Sequence, residues 1–159
     1  MRAREFLFTA FYAGYCPVAP GSAGTLVGMA IYFIVHLLFG EASWVVNLAM
    51  VAVLFYPFIR LVDHGERFFG VKDPPQVVLD EVMGYWISVL FYPFNLKIAV
   101  AAFFIFRFMD ILKPWPINRL QRLKGGVGIM IDDCLAGVYT NLILLASVLV
   151  LKLFHVDIY

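Results

Sequence analysis

The chain has 159 residues, of which 63% are hydrophobic and only 14% are charged, and its formal net charge is +1. Soluble domains average about 45–50% apolar and about 25% charged residues, so the excess of apolar side chains excludes an ordinary water-soluble protein. The near-neutral charge excludes the basic surface that nucleic-acid binding requires. We therefore predict a single integral-membrane domain over residues 1–159, with the lipid bilayer and not nucleic acid as its surroundings.

The first motif along the chain is PVAPGSAGTL, at residues 17–26. Its Pro-Gly pair predicts a turn, after which Ser22 or Thr25 could cap the helix that follows. A helix N-terminus also presents unbonded N–H groups to an anion. The motif is therefore either an ordinary helix start or one side of an anion site. The sequence leaves open whether residues 5–15 lie at the membrane surface or re-enter the bilayer.

Five apolar stretches follow, which predict an all-α, polytopic membrane helix bundle of about five membrane helices. A spanning helix needs about 20 apolar residues, with a range of about 17–25. The second and fifth stretches meet this length, the first and fourth are marginal, and the third is short. A turn at YPFN separates the third from the fourth, so these two are expected to form a helical hairpin. The predicted spans are 22–39, 44–61, 79–94, 96–112 and 127–153.

The distribution of basic residues predicts the orientation, because Lys and Arg near span ends tend to stay on the cytoplasmic side. With an inside N-terminus and five spans, the outside carries only Lys97 and Lys152. The C-terminus would then lie outside. The ten basic residues on the inside would be Arg2, Arg4, Arg60, Arg67, Lys72, Arg107, Lys113, Arg119, Arg122 and Lys124.

Six charged residues from three predicted spans would lie at a similar depth near the cytoplasmic face: Asp80, Glu81, Arg107, Asp110, Asp132 and Asp133. A charge at the centre of a membrane helix costs roughly 2.5–3.5 kcal/mol, so adjacent acids need a proton, a basic partner or a cation. Asp132 and Asp133 are about 100° apart around a helix, which favours divided roles. Asp133 shares a face with Gly137 and Asn141, and we expect that face to line a cavity.

Two acidic motifs, LDEVM at 79–83 and IDDCL at 131–135, have the same order of apolar residue, Asp, second acid and apolar residue. Acidic pairs from two helices could hold Mg²⁺, which typically binds one or two carboxylates, waters and a substrate phosphate. Alternatively, one pair is structural and is matched by Arg107 or Lys124. Arg107 has two interpretations of its own: an ion pair with Asp110 three residues later, or a phosphate-binding group.

Three ordered blocks resemble the phosphatidylglycerophosphatase A family of bacterial membrane enzymes: PVAPGSAGTL, KDPPQVVLDEVMGYW and FRFMDILKPWPINRLQRLKGGVGIMIDDCLAG. The resemblance implies a Mg²⁺-dependent lipid phosphatase of the bacterial cytoplasmic (inner) membrane, multi-pass, with its site on the cytoplasmic side. It would hydrolyse the terminal phosphomonoester of phosphatidylglycerophosphate to phosphatidylglycerol and inorganic phosphate. The family's acid motifs fall on the expected catalytic and metal-binding residues Asp80, Glu81, Asp132 and Asp133. The expected substrate-binding residues are Ser22, Thr25, Lys72, Arg107 and Lys113.

Two classes of function remain open from the residues alone. A lipid phosphatase would use carboxylates and basic side chains to position and neutralise a phosphoryl group, with either a metal-activated water or an aspartate as nucleophile. A small ion-binding or transport subunit would also need intramembrane acids, but would spread them across the membrane depth. The clustering of the acids on one side favours the phosphatase. Oligomeric state and the number of metal ions are not determined.

Overall fold

The computed structural model describes residues 2–120, 123 and 125–154, and this part of the chain is all-α, with no β-strand. Arg122 and Lys124, which were counted among the cytoplasmic basic residues, lie outside the described residues. The candidate pairing of Lys124 with the acids lies outside them for the same reason. The helices are α1 Arg2–Phe8, α2 Pro20–Phe39, α3 Ser43–Phe69, α4 Leu79–Ser88, α5 Leu96–Leu112, α6 Ile117–Leu120 and α7 Gly126–Leu153.

Three of the predicted spans agree with helices of the structure. Helix α2 begins two residues before the predicted span 22–39, α5 has the predicted bounds, and α7 begins one residue before 127–153. Helix α3 starts close to the predicted position but continues beyond residue 61 to Phe69. The prediction followed the apolar residues, which end near residue 61. The helix itself continues through the charged residues that follow.

The third predicted span, 79–94, is wrong as a continuous helix. Helix α4 has only ten residues, or ~15 Å at 1.5 Å per residue, which is about half of a ~30 Å hydrocarbon core. Nine of its ten residues are buried, so its apolar sequence reflects packing inside the bundle and not contact with lipid. The chain continues without helix through residues 89–95. Helices α4 and α5 therefore do not form the predicted hairpin of two membrane helices.

Amide side chains from neighbouring helices bind the carbonyl groups that the end of α4 leaves free. Asn141 Nδ2 on α7 donates to the carbonyl oxygens of Ser88 and Leu90 at 3.1 and 2.9 Å. Asn47 Nδ2 on α3 donates to the carbonyl of Trp86 at 3.1 Å. Because unpaired backbone groups are costly in apolar surroundings, these bonds allow the helix to stop inside the bundle. The prediction that Asn141 lines a cavity is wrong, since its amide caps α4.

Helix α4 crosses α7 at a pair of glycines. A Cβ atom at Gly137 would collide with the carbonyl oxygen of Gly84, and one at Gly84 would lie 2.7 Å from the carbonyl oxygen of Asp133. A residue with a side chain at either position would force the two backbones apart. Gly137 is thus a packing residue and not part of a cavity wall. The crossing sets the position of Asp133 relative to Asp80 at the start of α4.

Within the described ranges, two segments are long and apolar enough to cross a membrane, Pro20–Phe69 and Gly126–Leu153. The first contains both α2 and α3. Buried residues make up 11% of its most apolar window and 33% of the corresponding window of α7, so most of this apolar surface faces outward. Large exposed apolar surfaces mark membrane or protein contacts. The structure is that of a membrane-associated helical protein, and the count of about five membrane helices is not confirmed.

Candidate active site

A cavity of about 380 Å³ opens where the starts of α2, α4 and α7 meet the end of α5. All six charged residues that were predicted to share one depth line this cavity, and Asp73 and Lys113 join them. The topology therefore brings together side chains that are far apart in sequence. Six acids and two bases in one wall leave an excess of negative charge, which is expected of a site for a cation.

Three carboxylates approach one another in the cavity, those of Asp80 and Glu81 from α4 and that of Asp133 from α7. One oxygen of each lies within 4.8 Å of the others. Asp80 and Asp133 are only 5% and 3% exposed. Asp80 Oδ1 and Glu81 Oε2 are buried and have no hydrogen-bond partner among the described residues. Buried carboxylate oxygens without donors are suited to a hard cation such as Mg²⁺.

Asp132 lies outside that cluster, although the sequence predicts it as a metal ligand too. Its Oδ2 accepts a hydrogen bond from Lys113 Nζ at 2.5 Å. Its Oδ1 is buried without a hydrogen-bond partner in the described part of the chain. Burial alone lowers the pKa of the Lys113 ammonium, but the hydrogen bond to Asp132 and the neighbouring carboxylates outweigh this and raise that pKa above its ordinary value. Lys113 is therefore positively charged at neutral pH.

Arg107 lies between acids of two helices. Its Nη1 is 2.8 Å from Asp110 Oδ2 and 3.9 Å from Glu81 Oε1, so the predicted ion pair with Asp110 is present. The contact with Asp110 is close but does not have hydrogen-bond geometry, because neither Nη1 nor Nε of Arg107 has a hydrogen-bond partner among the residues that the structure describes. A guanidinium presents five N–H donors in a planar fork. Asp110 can therefore orient this side chain while other donors remain for an anion in the cavity.

The start of α2 closes one side of the cavity. The helix begins at Pro20, and its N-cap residue, Ala19, makes no side-chain capping hydrogen bond. A Cβ atom at Gly21 would lie 2.9 Å from both terminal nitrogens of Arg107 and would collide with Glu81 Oε1. Glycine at this position lets the helix approach the charged pair. The approach also places Pro20 and Gly21 in the lining of the cavity.

Three predicted substrate-binding residues do not line the cavity. Ser22 and Thr25 lie within α2 and not at its cap, because the helix begins at the preceding proline. Thr25 Oγ1 is buried and donates to the carbonyl of Gly21 at 2.9 Å. Lys72 is exposed, and the adjacent Asp73 lines the cavity instead. The predicted helix cap is therefore wrong, and Lys72 does not line the cavity.

Sequence reasoning did not assign Asp73 or Gly21 to the site. Asp73 adopts a positive φ of 52°, which is unusual for a residue other than glycine but accessible to Asp. The signal for this turn was the Asp-Pro-Pro order that follows Lys72, since Asp and Pro favour turns for separate reasons. The signal for Gly21 was its place directly after a proline that can begin a helix.

The whole-chain comparison agrees with the blocks noted in the sequence. Residues 6–148 match the family model described as Phosphatidylglycerophosphatase A. The chain belongs to the phosphatidylglycerophosphatase A family. The resemblance drawn from the three motifs is confirmed, and the protein is a phosphatase. Members of this family carry the name of a lipid-metabolic hydrolase, which agrees with the apolar helices that surround the cavity here.

Relatives of known name cover most of the chain. A protein of Bacteroides thetaiotaomicron named "Putative phosphatidylinositol-3-phosphatase" is 38% identical over 140 residues, which is 86% of this chain and 87% of that protein. Phosphatidylglycerophosphatase A of Escherichia coli is 34% identical over 136 residues, 84% of this chain and 77% of the relative. Phosphatidylglycerophosphatase A of Haemophilus influenzae is 34% identical over 144 residues, 89% and 86% of the two chains. No solved structure matches the chain significantly.

Proposed function

We propose that the protein is a Mg²⁺-dependent membrane phosphatase that hydrolyses the terminal phosphomonoester of phosphatidylglycerophosphate, giving phosphatidylglycerol and inorganic phosphate. The observation that carries this proposal is the carboxylate cluster of Asp80, Glu81 and Asp133, with Arg107 and Lys113 in the wall of the same cavity. The carboxylates can bind a metal cation, and the two basic side chains can bind the phosphate group of a substrate. Phosphoryl transfer is catalysed mainly by this kind of positioning and charge neutralisation.

The donor set fits a magnesium ion. Mg²⁺ prefers oxygen ligands, and it is usually held by one or two carboxylates and completed by waters and substrate phosphate. The cluster supplies three carboxylates, two of which carry buried oxygens without a donor in the described ranges. We propose Asp80, Glu81 and Asp133 as the ligands. Mg²⁺, when bound, supplies neutralisation of the charge on the phosphate oxygens.

The two basic side chains are held by carboxylates before a substrate arrives. Asp110 lies 2.8 Å from the Arg107 guanidinium and 3.8 Å from Lys113 Nζ. A phosphate that enters the cavity would meet cations that are already oriented, so less conformational freedom is lost on binding. We propose that Arg107 and Lys113 bind the phosphate and that Asp110 acts as a positioning residue for both.

Asp132 is our candidate for the general base. Its Oδ2 is bonded to Lys113, whereas its buried Oδ1 has no hydrogen-bond partner in the described part of the chain and its side chain lines the cavity. A general base must lie within reach of the proton that it removes. In this role Asp132 would accept a proton from an attacking water at Oδ1. The competing role, direct attack of an aspartate on phosphorus, predicts a covalent phospho-enzyme.

Phosphate release by the purified full chain tests the proposal. Detergent-dispersed phosphatidylglycerophosphate, phosphatidylinositol 3-phosphate and phosphatidic acid would be compared, with Mg²⁺ and with EDTA. We expect phosphatidylglycerophosphate to be hydrolysed fastest, only with Mg²⁺, and not by Asp80→Asn. The name of the Bacteroides relative motivates the phosphatidylinositol arm. Faster phosphate release from phosphatidylinositol 3-phosphate would make that lipid the better candidate substrate. Full activity in EDTA would exclude a requirement for Mg²⁺.

The transport alternative makes a different prediction. A small ion-binding or transport subunit would catalyse cation flux in proteoliposomes without releasing phosphate. The acids line one cavity at one end of the helices, which favours hydrolysis over a path through the membrane. Flux in the absence of phosphatase activity would support the alternative and would count against the proposed site.

We also propose that the cavity opens to the cytoplasm of a bacterial cell, in a multi-pass protein of the inner membrane. Arg107 and Lys113 lie at the end of α5 that borders the cavity, and basic residues near span ends favour the cytoplasmic side. Cys16 offers a direct test, because it is exposed three residues before the cavity-lining Ala19, whereas Cys134 is buried. A membrane-impermeant maleimide should label inverted vesicles and not intact spheroplasts, and Cys16→Ser should lose the label. The opposite pattern would place the cavity outside.

A further inference from the structure

A second cavity, of about 300 Å³, lies between α1 and α3 and shares no lining residue with the candidate active site. Three arginines and a histidine dominate its wall. The proposed phosphatase chemistry uses none of them. The complete lining is Arg4, Arg60, Leu61, Asp63, His64 and Arg67.

The one carboxylate in this lining already has partners. Asp63 Oδ2 lies 2.9 Å from Arg67 Nη2. Asp63 also lies against the start of α7, where a Cβ atom at Gly125 would be 3.1 Å from its Oδ1, and a helix N-terminus favours a neighbouring carboxylate. By contrast, Arg4 and Arg60 form no ion pair with any described residue. The cavity therefore keeps positive charge that no acidic group among the described residues neutralises.

The arginines approach the cavity from two sides. Arg60, His64 and Arg67 are spaced i, i+4 and i+7, so they share one face of α3, and Arg4 projects from α1 into the same lining. The ring of His64 packs against Phe8 of α1 with centroids 6.2 Å apart, which keeps the two walls together. Guanidinium groups on opposite walls can each donate two N–H groups to one phosphate.

The surroundings favour a lipid headgroup over a free ion. Next to Arg4, Phe6 and Leu7 of α1 are 39% and 44% exposed, and Phe11 just after the helix is 52% exposed. Exposed apolar side chains beside basic ones are typical of a helix that lies in a membrane interface. Basic pockets between membrane helices bind anionic headgroups. We propose that the cavity between α1 and α3 binds the phosphodiester headgroup of an anionic phospholipid, as a second lipid site apart from the active site.

Lipid binding by the detergent-purified full chain, measured by native mass spectrometry, tests this proposal. Phosphatidylserine is a suitable probe because it is neither substrate nor product of the proposed reaction, and phosphatidylcholine is the zwitterionic control. The double variant Arg4→Gln/Arg60→Gln should bind phosphatidylserine at least tenfold more weakly than the unaltered chain. The double variant Arg2→Gln/Arg119→Gln loses the same charge from exposed positions outside the cavity and should bind normally.

Phosphatase activity and three further binding results test whether the lipid lies in this cavity. Phosphatase activity of Arg4→Gln/Arg60→Gln on dispersed substrate should stay unchanged, because these residues do not touch the active site. Equal loss of lipid in both double variants, or no loss in either, would overturn the proposal. Loss of binding in Arg107→Gln alone would place the lipid in the active site. Displacement by inorganic phosphate at equal concentration would show that the cavity takes a free phosphate and not a headgroup.

Discussion

Lys113 Nζ lies 2.5 Å from Asp132 Oδ2, whereas Asp133, the next residue along α7, lies in the carboxylate cluster with Asp80 and Glu81. Two aspartates that are neighbours in sequence therefore have different partners in the same cavity. One is bound to a cation of the protein itself, and the other lies where a metal ion would be held. This division allows the two residues to be distinguished by measurement.

Asparagine substitutions should separate their roles. Asp133→Asn removes the charge of a proposed ligand, so the Mg²⁺ concentration for half-maximal activity should rise by at least about 10–100-fold, the loss that follows when a residue supporting a metal ligand is changed. Asp132→Asn should lower kcat by about 10²–10⁴-fold, as expected for loss of a general base, and leave the Mg²⁺ requirement nearly unchanged. Phosphate release across a Mg²⁺ titration measures both. The reverse pattern would exchange the two assignments.

Lys113→Met should weaken substrate binding. The change removes the ammonium group and leaves the Asp132 carboxylate buried without its partner. Hydrogen bonds to charged groups contribute about 1.5–3 kcal/mol, so kcat/KM should fall roughly 10–100-fold. Lys72→Met is the matched control, because Lys72 is exposed and outside the cavity lining. A larger loss of kcat/KM at Lys72 than at Lys113 would support the sequence-based prediction that Lys72 binds substrate.

Gly21→Ala should reduce activity while the protein stays folded. The added methyl group would meet Glu81 Oε1 and the terminal nitrogens of Arg107, so it would displace the charged pair at the edge of the cavity. We expect at least a tenfold loss of kcat/KM, with circular dichroism unchanged. Ser22→Ala, one residue later and outside the cavity lining, should remain close to the unaltered enzyme. Normal activity of Gly21→Ala would mean that this approach has no catalytic importance.

Asn141→Leu should destabilise the fold. The substitution removes the donor that binds the carbonyl groups of Ser88 and Leu90, and an unsatisfied buried polar group costs about 1–3 kcal/mol. Thermal denaturation in detergent should show a lower midpoint. Ser147→Ala on the same helix is the control, because its exposed hydroxyl donates to the carbonyl of Ile143 in its own helix. Equal midpoints for the two variants would contradict the capping role.

The sequence predicts a helix well where the apolar residues begin and end at the same positions as the helix. Helices α2, α5 and α7 are of this kind, because each carries many outward-facing apolar residues. The segment 79–94 has the same kind of composition, but α4 buries nearly all of its residues. Whether an apolar side chain meets lipid or other helices depends on tertiary packing. The side chains that allow α4 to end early, Asn47 and Asn141, are distant in sequence, so no local pattern reports them.

The cavity illustrates the same limit at the level of single residues. Alternating helix directions were enough to predict that the acids of α4 and α7 would lie near Arg107. They were not enough to choose between Lys72 and Asp73, because the local backbone decides which of two neighbours in a loop faces the cavity. The Asp-Pro-Pro order indicates a turn here, but it does not say which side chain the turn directs inward. Ser22 failed as a predicted cap because the helix begins only two residues earlier.

The contact between Gly84 and Gly137 has a consequence for ion selection. Asp80 and Asp133 each lie one helical turn before one of these glycines, and no side chain separates the two backbones. The crossing therefore fixes the distance between the two backbones from which these carboxylates extend. Ca²⁺ requires oxygens at about 2.3–2.6 Å, compared with about 2.0–2.1 Å for Mg²⁺. We expect this spacing to discriminate by ionic radius, so that Ca²⁺ supports little phosphate release at concentrations where Mg²⁺ saturates.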